Sequence, residues 1–196
     1  YYKGDKNPAD IYKMPIAPIS AKVAEISGAA GVVTSIANAC AAGTMAVIHA
    51  CDLIRAGKAD VVIAGGADSF AAVPYAGFLA LHALDENGCS PFNHCHGITL
   101  GEGAGIIIVE SYEHAKARGA KMYCDVLGGA VTQDAHHITA PREDGLSQIV
   151  ALKKALKNSG ISAKEVGYVN AHGTGTTNND MAEFVSIHAV YDEENP

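Results

Sequence analysis

Short runs of apolar, often β-branched residues recur along this chain, and each is followed by a segment that favours helix. DVVIA at 60–64 and AGIIIVE at 104–110 are apolar almost throughout, and GVVTSIANA at 31–39 largely so. Successive side chains of a strand point to opposite faces, so an uninterrupted apolar strand needs cover on both. Runs of this kind alternating with helical segments predict a mostly parallel sheet with helices on each side, a layered α/β chain. Strands are expected over 31–39, 60–64, 104–110, 121–127 and 166–170, with 104–110 fully buried. Helices are expected over 20–28, from Cys40 to Gly57, and over 71–84, 111–118, 145–158 and 179–190. Tyr1 to Ala17, polar and broken by Pro8 and Pro15, reads as loop or helix fragments.

Composition narrows the classes. Hydrophobic residues make up 48% of the 196, enough for a substantial core, and the 21 glycines suit close packing of helices on strands. A net charge of -7 argues against a nucleic-acid partner. No apolar run is long enough to span a bilayer, and no secretory signal opens the sequence. The five cysteines are odd in number and irregularly spaced, which fits reduced thiols in the cytoplasm better than a disulfide framework. The sequence opens on Tyr1 instead of Met, so the chain is expected to start inside its gene product.

Two positions carry chemistry. Cys40 falls where the run 31–39 meets a helix-favouring segment. The first N–H groups of a helix have no partner within it, and the positive end of its dipole favours a thiolate. The alternative for Cys40 is a buried core cysteine acting as a small hydrophobe. Far downstream, AHGTGTTNND at 171–180 places His172 at a strand end before a loop dense in Gly and Thr. Gly173 and Gly175 allow close approach of a ligand, and Thr174, Thr176 and Thr177 supply hydroxyls, although a helix cap also accounts for threonines here.

NACAAGTMAV around Cys40, DVVIAGGAD, GEGAGIIIVES with YEHAKARGA, and YVNAHGTGTTNNDMAE follow one another in a particular order and spacing. In that order the chain resembles the β-ketoacyl-acyl-carrier-protein synthases, chiefly the elongating type of fatty acid synthesis. The resemblance runs from about Gly31 onward. It implies a thiolase-like, layered α/β/α fold of mostly parallel sheets covered by helices, incomplete at both ends, and commonly a homodimer. Residues 1–115 would hold the end of an N-terminal half carrying Cys40, and 116–196 the start of a C-terminal half carrying His172.

The implied function is decarboxylative condensation of an acyl group on Cys40 with malonyl carrier protein, without a cofactor, in fatty acid or polyketide elongation. His172 would stabilise the enolate oxygen, Thr174 and Thr176 would contact the pantetheine arm of the acyl carrier protein, and Phe78 would line the approach to the cysteine. Asp180 and Glu183 match an acidic pair behind the loop, Glu183 orienting a lysine. The family's second catalytic histidine, that lysine, and its GFGG loop have no match in this sequence, so the chain reads as an inactive piece of a longer protein. The family's RDG before GEGAG is replaced by Cys95-His96-Gly97.

Other readings stay open. A non-catalytic ketosynthase-like partner subunit is one, although such partners usually lack the cysteine. Cys89, His94, Cys95 and His96 offer soft ligands for a metal, but adjacent ligands rarely converge on one ion. The glycines of GEGAG precede a strand instead of following one, which excludes a dinucleotide loop. His136 and His137 read as solvated, and Lys153, Lys154 and Lys157 as the wet face of their helix.

Overall fold

A computed structural model describes residues 17–94 and 96–191. The loop or helix fragments expected at the N-terminus fall almost wholly outside these residues, as does Cys95. Helix α1 is Ala17–Ser27, and a single 3-10 turn at Ala39–Ala41 leads into α2, Ala42–Arg55. Strand β1 (Val61–Asp68), α3 (Ala72–Ala80), β2 (Gly103–Glu110) and α4 (Tyr112–Ala117) follow. After a long irregular stretch come α5 (Leu146–Ser159), a 3-10 turn at Ala163–Glu165 and α6 (Thr177–Tyr191).

The chain divides into two compact units. One comprises the described residues up to Gly66 with Ile106–Ala120; the other comprises Ala67–Gly105 and the described residues from Lys121 onward.

In the first unit, α2 packs on the paired strands through small residues. Ala50 and Cys51 of α2 are buried with Ala64 of β1 and Val109 of β2, and Ile54 and Val62 close over them. Small side chains let the helix axis approach the sheet: a Cβ on Gly66 would stand 4.0 Å from the Cα of Gly43. Burial pushes the Cys51 thiol up, so this cysteine behaves as an apolar filler. The amide of Ser111, just past β2, donates to the carbonyl of Asp60, just ahead of β1, at 3.1 Å. The start of β1 therefore lies beside the end of β2, and the two strands run in opposite directions.

Ser111 then caps α4, its Oγ accepting from the His114 N–H at 3.3 Å. Arg118 at the far end of α4 turns back to Glu110, with Nε and Nη2 on the two carboxylate oxygens at 2.6 and 2.7 Å. His114 Nδ1 meets the same carboxylate. These partners hold the Glu110 carboxyl down at about 2.

In the second unit α5 and α6 pack against each other. Gly145, at the start of α5, has a φ of 59°, and a Cβ there would lie 2.8 Å from the Ala182 carbonyl oxygen. Only glycine meets both demands. Ser186 in α6, 2% exposed, donates its hydroxyl to Gln148 Oε1 in α5 at 2.7 Å.

Three expected strands do not form among the described residues. Segments 31–39, 121–127 and 166–170 lie outside the single two-stranded sheet. A strand is defined by the neighbour it ladders with, and β-branched composition alone supplies none. The strand expected at 104–110 does form, but it is not fully buried: Ile106, Ile107 and Ile108 are 53%, 46% and 63% exposed. Val32, Val33, Tyr123 and Tyr168 are exposed as well. The helix expected to reach Leu84 stops at Ala80, where Leu81 caps it and His82 turns to a φ of 52°.

Because its folded pKa lies below the ordinary 4.5, Glu110 stabilises the fold fully above pH 4.5, and that contribution is lost as the pH falls toward 2. Glu110→Gln should flatten the acid limb of the stability curve between those values, read by circular dichroism at fixed denaturant. An unchanged acid limb would show that the Arg118 and His114 contacts contribute nothing in solution.

Candidate active site

The backbone at Cys40 is unusual. Ala39 has a φ of 45°, the left-handed region that residues with a Cβ seldom enter. Asn38 accepts the Ala41 N–H at 3.2 Å, closing the turn, and Ala42 donates to the Ala39 carbonyl as α2 begins. Cys40 thus lies in the 3-10 turn between the left-handed Ala39 and the start of α2. Its side chain is exposed. The buried-cysteine alternative describes Cys51, not Cys40.

His172 belongs to the second unit, where the first turns of α6 hold its loop. Both oxygens of Glu183 face backbone: Oε1 accepts from the His172 N–H at 2.6 Å and Oε2 from the Gly173 N–H at 2.7 Å. The Asn179 side chain adds a third donor to Oε2 at 2.9 Å. Asp180 is 3% exposed. Its Oδ1 accepts from the Gly175 N–H at 3.1 Å, and its Oδ2 from the Phe92 N–H at 2.8 Å. Carboxylates belong at this end of a helix, where the dipole and the free N–H groups favour negative charge. Thr174 and Thr176, both half-buried, share a hydroxyl–hydroxyl bond of 2.9 Å.

A second loop lies over this one. The Cys89 thiol donates to the Thr174 carbonyl at 3.1 Å, and the Cys89 N–H donates to Thr99 Oγ1 at 2.8 Å. Gly175 has a φ of 75° and sits so tightly beneath that loop that a Cβ would stand 2.8 Å from Cys89 Sγ and from the Gly97 carbonyl oxygen. Gly97 is itself pressed against backbone, with Leu84, Ala83 and Asp85 atoms at 2.6–2.7 Å from any added Cβ. The glycine of the Cys95-His96-Gly97 sequence therefore has a packing role.

The structure thus brings His172, Thr174, Thr176, Asp180 and Glu183 together around one loop. Phe78 is half-buried on α3 of the same unit, and Cys40 stands in the other unit. The contacts of Glu183 seen among the described residues include the loop backbone at His172 and Gly173. Sequence reasoning missed Phe92, and it missed the parts that Asn179 and Cys89 play in holding this loop, because the partners of Phe92 and Cys89 are distant in sequence. Among the described residues no three of His, Cys, Asp and Glu are grouped to hold a metal ion. Cys89 of the proposed ligand set instead meets the Thr174 carbonyl.

With this geometry in view, comparison with known proteins defines the class first. A ketosynthase in complex with its type II PKS acyl-carrier protein (AntDE:AntF) superposes with a TM-score of 0.90 at 35% identity, covering 97% of this chain and 50% of that one. The ishigamide ketosynthase/chain length factor gives 0.88 at 37% identity, over 93% and 45%. The fold is thiolase-like.

The sequence then defines the family. Residues 3–115 match "Beta-ketoacyl synthase, N-terminal domain" and residues 123–196 match "Beta-ketoacyl synthase, C-terminal domain". The chain belongs to the beta-ketoacyl synthase family. It is 40% identical to 3-oxoacyl-[acyl-carrier-protein] synthase 2 of Vibrio cholerae over 178 residues, 86% of this chain and 43% of that protein. It is 41% identical to nodulation protein E of Rhizobium meliloti over 166 residues, 84% and 41% respectively. The chain spans somewhat under half the length of these relatives.

The buried Asp180 carboxylate generates a stability prediction. Asn at this position retains one acceptor oxygen and turns an NH2 toward one of the backbone donors. Asp180→Asn should cost on the order of 2–4 kcal/mol, since hydrogen bonds to a charged group contribute about 1.5–3 each and a buried donor is left unpaired. Denaturant unfolding checks it, and a loss below about 0.5 kcal/mol would contradict the bonding described.

Proposed function

We propose that the protein to which this chain belongs is a 3-oxoacyl-[acyl-carrier-protein] synthase, an acyltransferase that elongates an acyl chain by two carbons. The observation that carries the proposal is Cys40: exposed, in the turn that leads into α2, and preceded by a left-handed Ala39. Backbone strain of this kind costs about 1–3 kcal/mol and persists where the surroundings require it, commonly at reactive residues. The 40% identity to a 3-oxoacyl-[acyl-carrier-protein] synthase over 86% of the chain supports the same reading.

In the proposed reaction the Cys40 thiolate attacks the carbonyl of an acyl group carried as a thioester on the pantetheine arm of acyl carrier protein. The C–S bond to pantetheine breaks, and the acyl group stays on Cys40. The backbone N–H of Cys40 is one donor to the oxyanion of the tetrahedral intermediate. Malonyl carrier protein then loses carbon dioxide as the bond to its carboxylate breaks. The electron pair forms an enolate whose oxygen His172 stabilises. Its carbon attacks the Cys40 thioester, the Cys40 thiolate departs, and 3-oxoacyl carrier protein is released. Thr174 and Thr176 contact the pantetheine arm, Phe78 lines the approach to Cys40, and Asp180 and Glu183 hold the loop that bears His172. No cofactor enters these steps.

The partner in this reading is acyl carrier protein, and the working unit is a homodimer in the cytoplasm. Among the described residues no helix is long and apolar enough to cross a membrane. A non-catalytic partner subunit is the rival reading. Cys40 on its strained turn counts against it, because a subunit without acyl transfer has no use for an exposed thiol there.

Acyl transfer from radiolabelled acyl carrier protein to the full-length protein, followed by peptide mapping, tests the proposal. Label should reside on the peptide containing Cys40 and vanish in Cys40→Ala; label persisting in that variant would refute the assignment. His172→Ala should retain acylation but lose about 10²–10³-fold in release of carbon dioxide from malonyl carrier protein, the usual effect of removing an oxyanion donor. Equal loss of both activities would remove His172 from its role.

A further inference from the structure

Phe92 combines three features that the proposed reaction does not yet use. Its φ is 57°, a left-handed conformation unfavourable for a bulky side chain. Its N–H donates at 2.8 Å to Asp180, 88 positions away, whose other oxygen takes the Gly175 N–H. Its ring edge, with Pro91 beside it, lies against Gly173: a Cβ on Gly173 would meet Pro91 Cβ at 3.5 Å and Phe92 Cε2 at 3.6 Å. A strained residue that is tied through its backbone to a buried carboxylate, and through its ring to the residue after His172, is placed to control that loop from outside.

From this geometry we infer that Phe92 is a positioning residue for His172. The inference rests on the ketosynthase reading for its catalytic consequence. The Asp180 carboxylate holds Phe92 in the left-handed conformation, which turns the ring onto Gly173. Gly173 is also tied to Glu183 through its N–H. The segment following His172 is thereby pinned on two sides, by Glu183 from α6 and by the Phe92 ring from the loop above. Thr174 and Gly175 are held by the same loop through Cys89 and Gly97. Displacing a reacting group by about 1 Å can cost 10²-fold in rate, so the ring affects the step that His172 serves and leaves acyl transfer to Cys40 alone.

The experiment compares Phe92→Gly, Phe92→Leu and Phe92→Tyr in the full-length protein. Glycine suits the left-handed backbone and removes the ring, leucine keeps apolar bulk without a flat ring, and tyrosine keeps the ring. Release of carbon dioxide from malonyl carrier protein should fall about 10- to 100-fold in Phe92→Gly, and less in Phe92→Leu, while acylation of Cys40 stays within about twofold and Phe92→Tyr restores the wild-type rate. Should Phe92→Gly fail to fold, the same split in Phe92→Leu carries the test. Both activities falling together, or neither falling, would overturn the inference.

Limited proteolysis of the 172–177 segment, followed by mass spectrometry, is independent of turnover. Cleavage there should rise about tenfold in Phe92→Gly and return to the wild-type rate in Phe92→Tyr. Unchanged cleavage would overturn the hold of Phe92 on the loop. A wild-type protein that neither acylates Cys40 nor releases carbon dioxide would overturn the ketosynthase reading, and the proteolysis would still decide for or against the ring.

Discussion

Two carboxylates at the start of α6 organise the second unit. Asp180 and Glu183 between them accept the backbone N–H groups of His172, Gly173, Gly175 and Phe92. A loop that needs positive φ at two glycines cannot satisfy its own amides by regular pairing, so it must find acceptors elsewhere. Asp180, buried in the first turn of α6, gains from the helix dipole, and half-buried Glu183 one turn further on acts through its charge-assisted N–H bonds. The spacing of three residues puts both acids on one helix face, so a single helix serves the whole loop.

The candidate residues Cys40 and His172 share a backbone theme. Ala39 before Cys40 and Gly173 after His172 both take left-handed conformations, and Phe92 does so opposite Gly173. Each turn is closed by a nearby acceptor: the Asn38 carbonyl at Cys40, Glu183 at Gly173 and Asp180 at Phe92. These hydrogen bonds offset the strain at each turn. This arrangement accounts for Cys40 being exposed while Cys51, eleven residues further along the same helical segment, is packed in the core.

The helices and the two paired strands were legible from periodicity because their signals are local. Cys40 was legible as a cysteine ahead of a helix and His172 as a histidine before a loop rich in Gly and Thr, although the strands expected to precede them do not form; the order of four motifs indicated the family. Segments 31–39, 121–127 and 166–170 were misread because a strand depends on a neighbour, and hydrophobic pattern reports only a tendency to be covered. The exposed isoleucines of β2 belong to the same lesson: the sequence marks them for burial, and among the described residues nothing covers them. Phe92 carried no signal, because nothing in the local sequence brings position 92 to position 180.

Carboxylates of α6, not the loop sequence, fix the position of His172. Amide hydrogen exchange at His172 and Gly173, measured in the full-length protein and in Glu183→Gln, tests it most directly. Both amides should be strongly protected in the wild type, and their exchange should rise about tenfold or more in the variant, equivalent to one lost charge-assisted bond. Equal exchange in the two proteins, or unprotected amides in the wild type, would contradict it.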